Sequence, residues 1–500
     1  MTATSPPINL MRGWPNPSLL PVALIKHAAT TALSSPTIAA DALLYGPDPG
    51  YQPCREAVAD WLTTSYHPAD PASKVTADRI TITGGASQNL GCMLAVYTDP
   101  GYTRNIWIVA PAYMLAFRIF EDAGFQGNMR AVPEDDAGVD IAYLRREMLA
   151  SDSRAEKEEE DVAIKARGGV GGAVRYKPDQ AWAKCYRHVI YCVPTSANPS
   201  SRTMTLPCRH ALVKLAREFD ALVIADDVYD FLQWPADSSV SLEATTKTAH
   251  LPRLVDVDRE LPGAAADGFG NACSNGSFSK IAGPGIRVGW VEGTERFGYG
   301  VSQAGTTASG GAPSQLTSTY LTHLLTTGSL QKHIHTTLLP AYSRRYHTLT
   351  AAVTTYLLPL GFALAAQPGR EVVGGYFIWL ALPESLAADA LAENCRTGII
   401  DSANEGAGKG VVIAPGSIFE VPGDEHAARF DGHIRLCFAW EEESELAEGV
   451  RRVGVVARGM LEEAEDRRAA GGADGEGRGL REGYVVVEKR RGGVQLDEYK

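Results

Sequence analysis

The chain has 500 residues, 45% of them hydrophobic and 21% charged, with a formal net charge of -12. That length allows two or three domains, and the composition is that of a globular protein rather than a disordered or fibrous one. The acidic balance excludes a binder driven by nucleic-acid phosphates, and no basic run reverses it. The eight cysteines at 54, 92, 185, 192, 208, 273, 395 and 437 form no CxxC pair. Neither a zinc site nor a disulfide framework is expected, and reduced thiols in a cytoplasmic protein are. The segment Met1 to Pro7 lacks the basic region and apolar core of a secretory signal. No apolar run reaches the ~18 residues of a membrane span.

In chain order, short β-branched runs alternate with helix-like segments. Residues 79–83 end at Gly84-Gly85, and residues 105–109 end at Ala110-Pro111. Residues 188–193 end at Pro194, and residues 221–225 end at Asp226-Asp227. Near-continuous apolar strands suit a parallel sheet buried on both faces. Helical patterns such as Pro207 to Phe219 lie between them, so the fold class is α/β with a mostly parallel sheet. Ligands of such sheets bind beyond the carboxyl ends of the strands. Three segments read as inserted or loose. Residues 151–179, charged and then glycine-rich, are expected to be a mobile surface loop. Residues 236–272 are a second insertion, and residues 463–500, rich in Glu, Arg and Gly, are expected to be mostly disordered. No internal repeat is evident.

The strand ends carry chemistry. Gly84-Gly85-Ala86-Ser87 leads from a strand into a helix, which exposes free amides to an anion. Tyr113, after Pro111, can stack on a flat ring. Asn198 sits in an Asn-Pro turn. Asp226 and Asp227 are consecutive on a strand and point to opposite faces, so only one of them easily meets a ligand. Further on stands Gly276-Ser277-Phe278-Ser279-Lys280, followed by Pro284-Gly285-Ile286-Arg287. A lysine after two hydroxyls, with an arginine seven residues later, suits a lysine that holds an aldehyde cofactor as a Schiff base. The hydroxyls and the guanidinium would hold the cofactor's phosphate. Arg435, in the strand-like run His433 to Phe438, offers a planar fork for a carboxylate.

Together and in this order, these motifs resemble the pyridoxal-5'-phosphate (PLP) enzymes of aminotransferase class I/II, fold type I. The resemblance implies a large PLP-binding domain over 36–330, with the insertions 151–179 and 236–272. It implies a smaller α+β domain from 1–35 and 331–462. Gly85, Ala86, Ser87, Ser277, Ser279 and Arg287 would hold the phosphate, and Tyr113 would stack on the ring. Asn198 and Tyr229 would hydrogen-bond the phenolic oxygen. The family pattern Asp-x-x-Tyr selects Asp226 as the partner of the pyridinium nitrogen. Lys280, Asp226 and Tyr229 form the implied catalytic set. Arg435 would take the substrate α-carboxylate, with Asn198 and Gly13 beside it, Gly13 lying in the segment Ile8 to Pro15 that closes over substrate. Tyr45 would reach the cofactor phosphate of a neighbouring subunit, which implies a homodimer with shared active sites. Gly374 to Phe377 and Ala414 to Phe419 match small-domain landmarks. His333 to Arg345 resembles the helix that joins the domains, in which Pro340 should break or kink the helix. In one place the chain departs from the pattern: Ser201 stands where the family generally has glycine.

The function so implied is amino transfer between an amino acid and a 2-oxo acid, with no nucleic-acid, membrane or metal partner. Two other readings stay open on the sequence. One is another PLP reaction in the same pocket, such as carbon–sulfur lysis or a cyclising step. The other is a non-catalytic effector-binding protein on the same fold, as fold alone does not fix reaction.

Overall fold

A computed structural model of the chain describes residues 7–66, 74–166, 175–242, 251–263, 267–311, 313–365, 369–397 and 410–471. The four apolar runs form the strands Ile80–Thr83, Asn105–Ala110, His188–Cys192 and Ala221–Asp226. Met129–Pro133, Ala272–Ser277 and Gly289–Glu292 complete a seven-stranded sheet. Across the sheet the order is 80–83, 289–292, 272–277, 221–226, 188–192, 105–110, 129–133. The strands from 129–133 to 272–277 are parallel, while Gly289–Glu292 is antiparallel to both its neighbours.

The four expected strands are buried along their whole length, because helices cover both faces. Alternate residues feed two cores. Ile106 and Ile108 pack with Leu90 and Met93 of the helix Ala86–Tyr97. Trp107 and Val109 pack with Leu212 and Val213 of the helix Leu206–Glu218. That second helix begins at Thr205, whose hydroxyl accepts from the Cys208 amide, and it carries Pro207 in its first turn.

A four-stranded antiparallel sheet lies C-terminal to this, in the order 363–364, 377–381, 433–437, 414–415. The helices Leu339–Tyr356 and Glu443–Gly471 pack on each other beside it. The N-terminal Ile8–Asn9 pairs in parallel with Val411–Val412. Gln233–Pro235 pairs with Val372–Gly374 and so ties the two halves together. Pro340 does not end the helix, whose backbone stays right-handed helical at His333, Ile334, Leu338 and Leu339. A π-turn over Ile334–Leu338 precedes the helix Leu339–Tyr356, and Pro340 falls in that helix's first turn, where no amide is required.

The segments expected to be loose are more ordered than that. Residues 151–166 continue the helix Ile141–Ala166. This stretch is helix rather than loop; residues 167–174 fall outside the described residues. The insertion 236–272 contains the helix Leu254–Glu260, with Leu254, Val255 and Val257 buried. Arg253 caps it from inside the core: Nε and Nη2 donate to Asp256 at 2.9 Å each, and Nη1 donates to Glu292 at 2.6 Å. Its guanidinium also lies 4.1 Å from the Tyr66 ring centroid. In sequence these charges look solvated; in the fold they neutralise one another. Residues 463–471 belong to the helix Glu443–Gly471, and the rest of the segment expected to be mostly disordered, residues 472–500, lies outside the described residues.

Candidate active site

The carboxyl ends of the parallel strands meet at one edge of the large sheet, the side on which open α/β sheets bind ligands. Strand Ile80–Thr83 ends there in Gly84-Gly85. Gly85, at φ 107°, caps the helix Ala86–Tyr97, a conformation that glycine adopts at little cost. The antiparallel Gly289–Glu292 begins where its neighbours end, and so brings Arg287 to the same edge. Arg287 donates from Nη2 to the Gly84 carbonyl at 2.8 Å and from Nη1 to the Pro284 carbonyl at 2.9 Å. A Cβ on Gly85 would sit 3.2 Å from Arg287 Nη2. Ser277 ends the adjacent strand, and its hydroxyl donates to Ser279 Oγ at 2.9 Å and accepts from the Ser279 amide at 3.1 Å. Free helix amides, two hydroxyls and a guanidinium thus surround an anion-sized cradle.

The cradle opens into a cavity of about 230 Å³. Of the expected site residues, Gly13, Ala86, Ser87, Tyr113, Asn198, Asp226, Tyr229, Ser277, Ser279, Lys280, Arg287 and Arg435 all line it. Gly85 adjoins it through Arg287. Tyr45 does not belong to this cavity; it lies at the surface, 90% exposed.

Asp226 ends its strand and faces the cavity. Asp227 points the other way, as strand geometry requires, and accepts from the Ser274 hydroxyl. The Tyr191 hydroxyl donates to Asp226 Oδ2 at 2.8 Å, whereas Asp226 Oδ1 is buried with no hydrogen-bond partner. Burial raises the Asp226 carboxyl from 3.8 to about 6, opposed by the Tyr191 hydrogen bond and the Lys280 charge. Lys280 Nζ donates to the Gly13 carbonyl at 2.7 Å. Burial lowers this amine from 10.5 to about 8. Nζ lies 5.1 Å from the Tyr376 ring centroid and 5.8 Å from that of Tyr229. Arg435, on the strand His433–Cys437, donates from Nη1 to Asn198 Oδ1 at 2.7 Å and from Nη2 to the Met11 carbonyl at 2.6 Å. Its Nε is buried without a partner, and its guanidinium lies 4.0 Å from the Phe377 ring centroid. Burial lowers its pKa from the ordinary arginine value to about 10.

These residues fit pyridoxal 5'-phosphate. An unpartnered buried carboxylate oxygen calls for a cationic donor such as a protonated pyridine nitrogen. The anion cradle lies in the same cavity, and the buried amine reaches into it. Sequence reasoning did not single out Tyr191 or Leu115, while Met11 and Trp14 lie in the segment Ile8 to Pro15 expected to close over substrate and line the cavity. Tyr191 pairs in register with Ile224, so it shares a face with Asp226; only the strand pairing reveals that. Leu115 lines the cavity as an ordinary apolar residue and carries no local signal.

Fold and site thus define an α/β enzyme of the PLP-dependent type. The chain matches the family aminotransferase class I and II over residues 17–453 and belongs to it. It is a PLP-dependent aminotransferase of fold type I. An uncharacterized protein of Saccharomyces cerevisiae is 32% identical over 468 residues, covering 90% of this chain and 97% of that one. Aromatic-amino-acid aminotransferase 1 of Thermococcus litoralis is 25% identical over 457 residues, covering 91% and 88%. Among solved structures, the α-aminoadipate aminotransferase of Thermus thermophilus, complexed with N-(5'-phosphopyridoxyl)-L-leucine, shares the fold. Its TM-score is 0.65 at 23% identity, over 91% of this chain and 93% of that one.

Proposed function

We propose that the protein moves the amino group of an α-amino acid with an aromatic or other large apolar side chain to a 2-oxo acid. Lys280, Asp226 and Tyr229 are its catalytic residues in this reading. The observation that carries it is the buried, unpartnered Asp226 Oδ1 in one cavity with the Lys280 amine, whose pKa burial lowers to about 8, and the Arg435 fork.

Bound PLP supplies the electron sink that lets the substrate α-carbon lose a proton. Asp226 holds a proton on the ring-nitrogen side, because its orphaned oxygen favours a cationic donor over a neutral one. Gly85, Ala86, Ser87, Ser277, Ser279 and Arg287 bind the phosphate. Tyr113 covers the ring, while Tyr229 and Asn198 hold its phenolic oxygen. Arg435 binds the substrate α-carboxylate, beside Asn198 and Gly13. Lys280 Nζ leaves the Gly13 carbonyl and takes the α-proton; with its pKa lowered to about 8, roughly a tenth of it is neutral at pH 7, far more than of an ordinary lysine. Met11, Trp14, Leu115 and Phe377 give the substrate side chain an apolar wall. The aromatic-amino-acid aminotransferase named above is consistent with that wall.

The same reading makes the enzyme a homodimer with Tyr45 serving the partner's phosphate site. Exposure of Leu43, Leu44 and Tyr45, at 70%, 68% and 90%, supports a surface covered by a second copy. All eight cysteines are free thiols, which supports a reducing, cytoplasmic setting.

The test is incubation with L-phenylalanine and 2-oxoglutarate, with products identified by mass. Phenylpyruvate and glutamate in equal amounts are expected from wild type, and none from K280A. Ammonia released without any need for the oxo acid would overturn transfer.

A further inference from the structure

The turn that carries Asn198 has an unusual conformation for its residues. Ser196 has φ 51° and Ser201 φ 60°, the left-handed region that suits glycine. Both serines are held there from the side of the small sheet. The Ser201 hydroxyl donates to the Phe377 carbonyl at 2.5 Å. Arg370 donates from Nη1 to the Ser201 carbonyl at 2.6 Å, and from Nη2 to Thr203 Oγ1 and, at 3.4 Å, to Ser196 Oγ. Its Nε donates to the Val372 carbonyl at 2.5 Å. Every one of these acceptors is neutral, and among the described residues no carboxylate pairs with Arg370. A half-buried guanidinium spent on carbonyls and hydroxyls, with no carboxylate to neutralise it, carries a desolvation cost. Arg370 does not line the active-site cavity. The turn it grips does: Asn198 Oδ1 accepts from Arg435 Nη1 at 2.7 Å, and Phe377 lies under the Arg435 guanidinium.

We propose that Arg370 is a positioning residue for the α-carboxylate grip. It holds the Ser196–Ser201 turn in a glycine-like shape, so that Asn198 and Phe377 fix the fork of Arg435. It takes over the task that glycine would perform at position 201. The inference rests on the role of Arg435 proposed above.

The test compares wild type, R370Q, S201G and R370Q/S201G as holoenzymes. The readouts are KM and kcat with L-phenylalanine and 2-oxoglutarate, Kd for 3-phenylpropionate, and the thermal midpoint. In R370Q both KM for phenylalanine and Kd for 3-phenylpropionate rise about tenfold, while kcat falls less than about threefold. S201G alone changes little. In R370Q/S201G most of the lost binding returns, because glycine takes the left-handed conformation unaided. A lower thermal midpoint in R370Q with KM and Kd unchanged would make Arg370 merely structural and overturn the proposal. Losses that simply add in the double variant would overturn the link through Ser201. If wild type neither transaminates nor binds 3-phenylpropionate, the proposed function fails. The link through Ser201 is then still read from the midpoints: S201G raising that of R370Q but not that of wild type supports it, and additivity overturns it.

Discussion

Asp226 is held at a cost to the fold that contains it. In the protein without cofactor, burial moves its carboxyl from 3.8 to about 6. A carboxyl whose folded pKa is raised binds its proton more tightly when folded. Its stabilising contribution is therefore whole below about pH 4 and is lost as pH rises through 6. That difference corresponds to about 3 kcal/mol above pH 6. Replacement by asparagine keeps an acceptor for the Tyr191 hydroxyl and removes the buried charge. The D226N apoprotein should therefore unfold at higher urea than wild type at pH 8, by up to about 3 kcal/mol, and show no advantage at pH 4. If Asp226 is the anionic partner of the ring nitrogen, as proposed, the same change should lower transamination by roughly a thousandfold. Urea melts at the two pH values and a rate assay check both halves. A D226N protein less stable than wild type at pH 8 would mean that the lone Oδ1 is already satisfied.

At the scale of elements, the glycine turn before the helix Ala86–Tyr97 is the sharpest constraint. Gly85 has φ 107°, and a side chain there would press on the Arg287 guanidinium. G85A combines backbone strain of about 1–3 kcal/mol with displacement of one phosphate ligand. The expected outcome is PLP affinity weakened by about tenfold or more, with wild-type far-UV dichroism, measured by equilibrium dialysis of the cofactor. The turns and strands that make up this site were legible in sequence because each rests on local chemistry: a glycine turn, consecutive aspartates, a lysine beside hydroxyls. Helix 141–166 was not, because its run of glutamates reads as solvated whether helical or not. The helix Leu254–Glu260 was hidden for a related reason. Arg253, Asp256 and Glu292 look like surface charges until long-range pairing buries them together. Tyr191 and Arg370 act on residues 35 and 169 positions away, beyond the reach of any local pattern.

The whole molecule leaves one expected site residue without a site. Tyr45 is almost fully exposed, and beside it on the segment 22–45 stand Val22, Leu33, Leu43 and Leu44, exposed at 66%, 46%, 70% and 68%. Apolar groups so displayed are what a second copy covers in a symmetric dimer, where the same patch serves both chains. If Tyr45 acts in the partner's site, each functional site needs Lys280 from one subunit and Tyr45 from the other. A hybrid of K280A and Y45A subunits then contains one intact site and one doubly defective site. At a PLP concentration too low to fill Y45A, mixing the two variants under conditions that exchange subunits should restore activity to about a quarter of wild type, because about half of the dimers are hybrids with one good site of two. Y45A alone should bind PLP more weakly, as the phosphate loses a hydrogen bond. Sedimentation of the wild-type protein should give twice the chain mass. Activity of the mixture no greater than the sum of its parts, with hybrids confirmed by co-purification of differently tagged subunits, would confine Tyr45 to its own subunit's surface and leave each site complete within one chain.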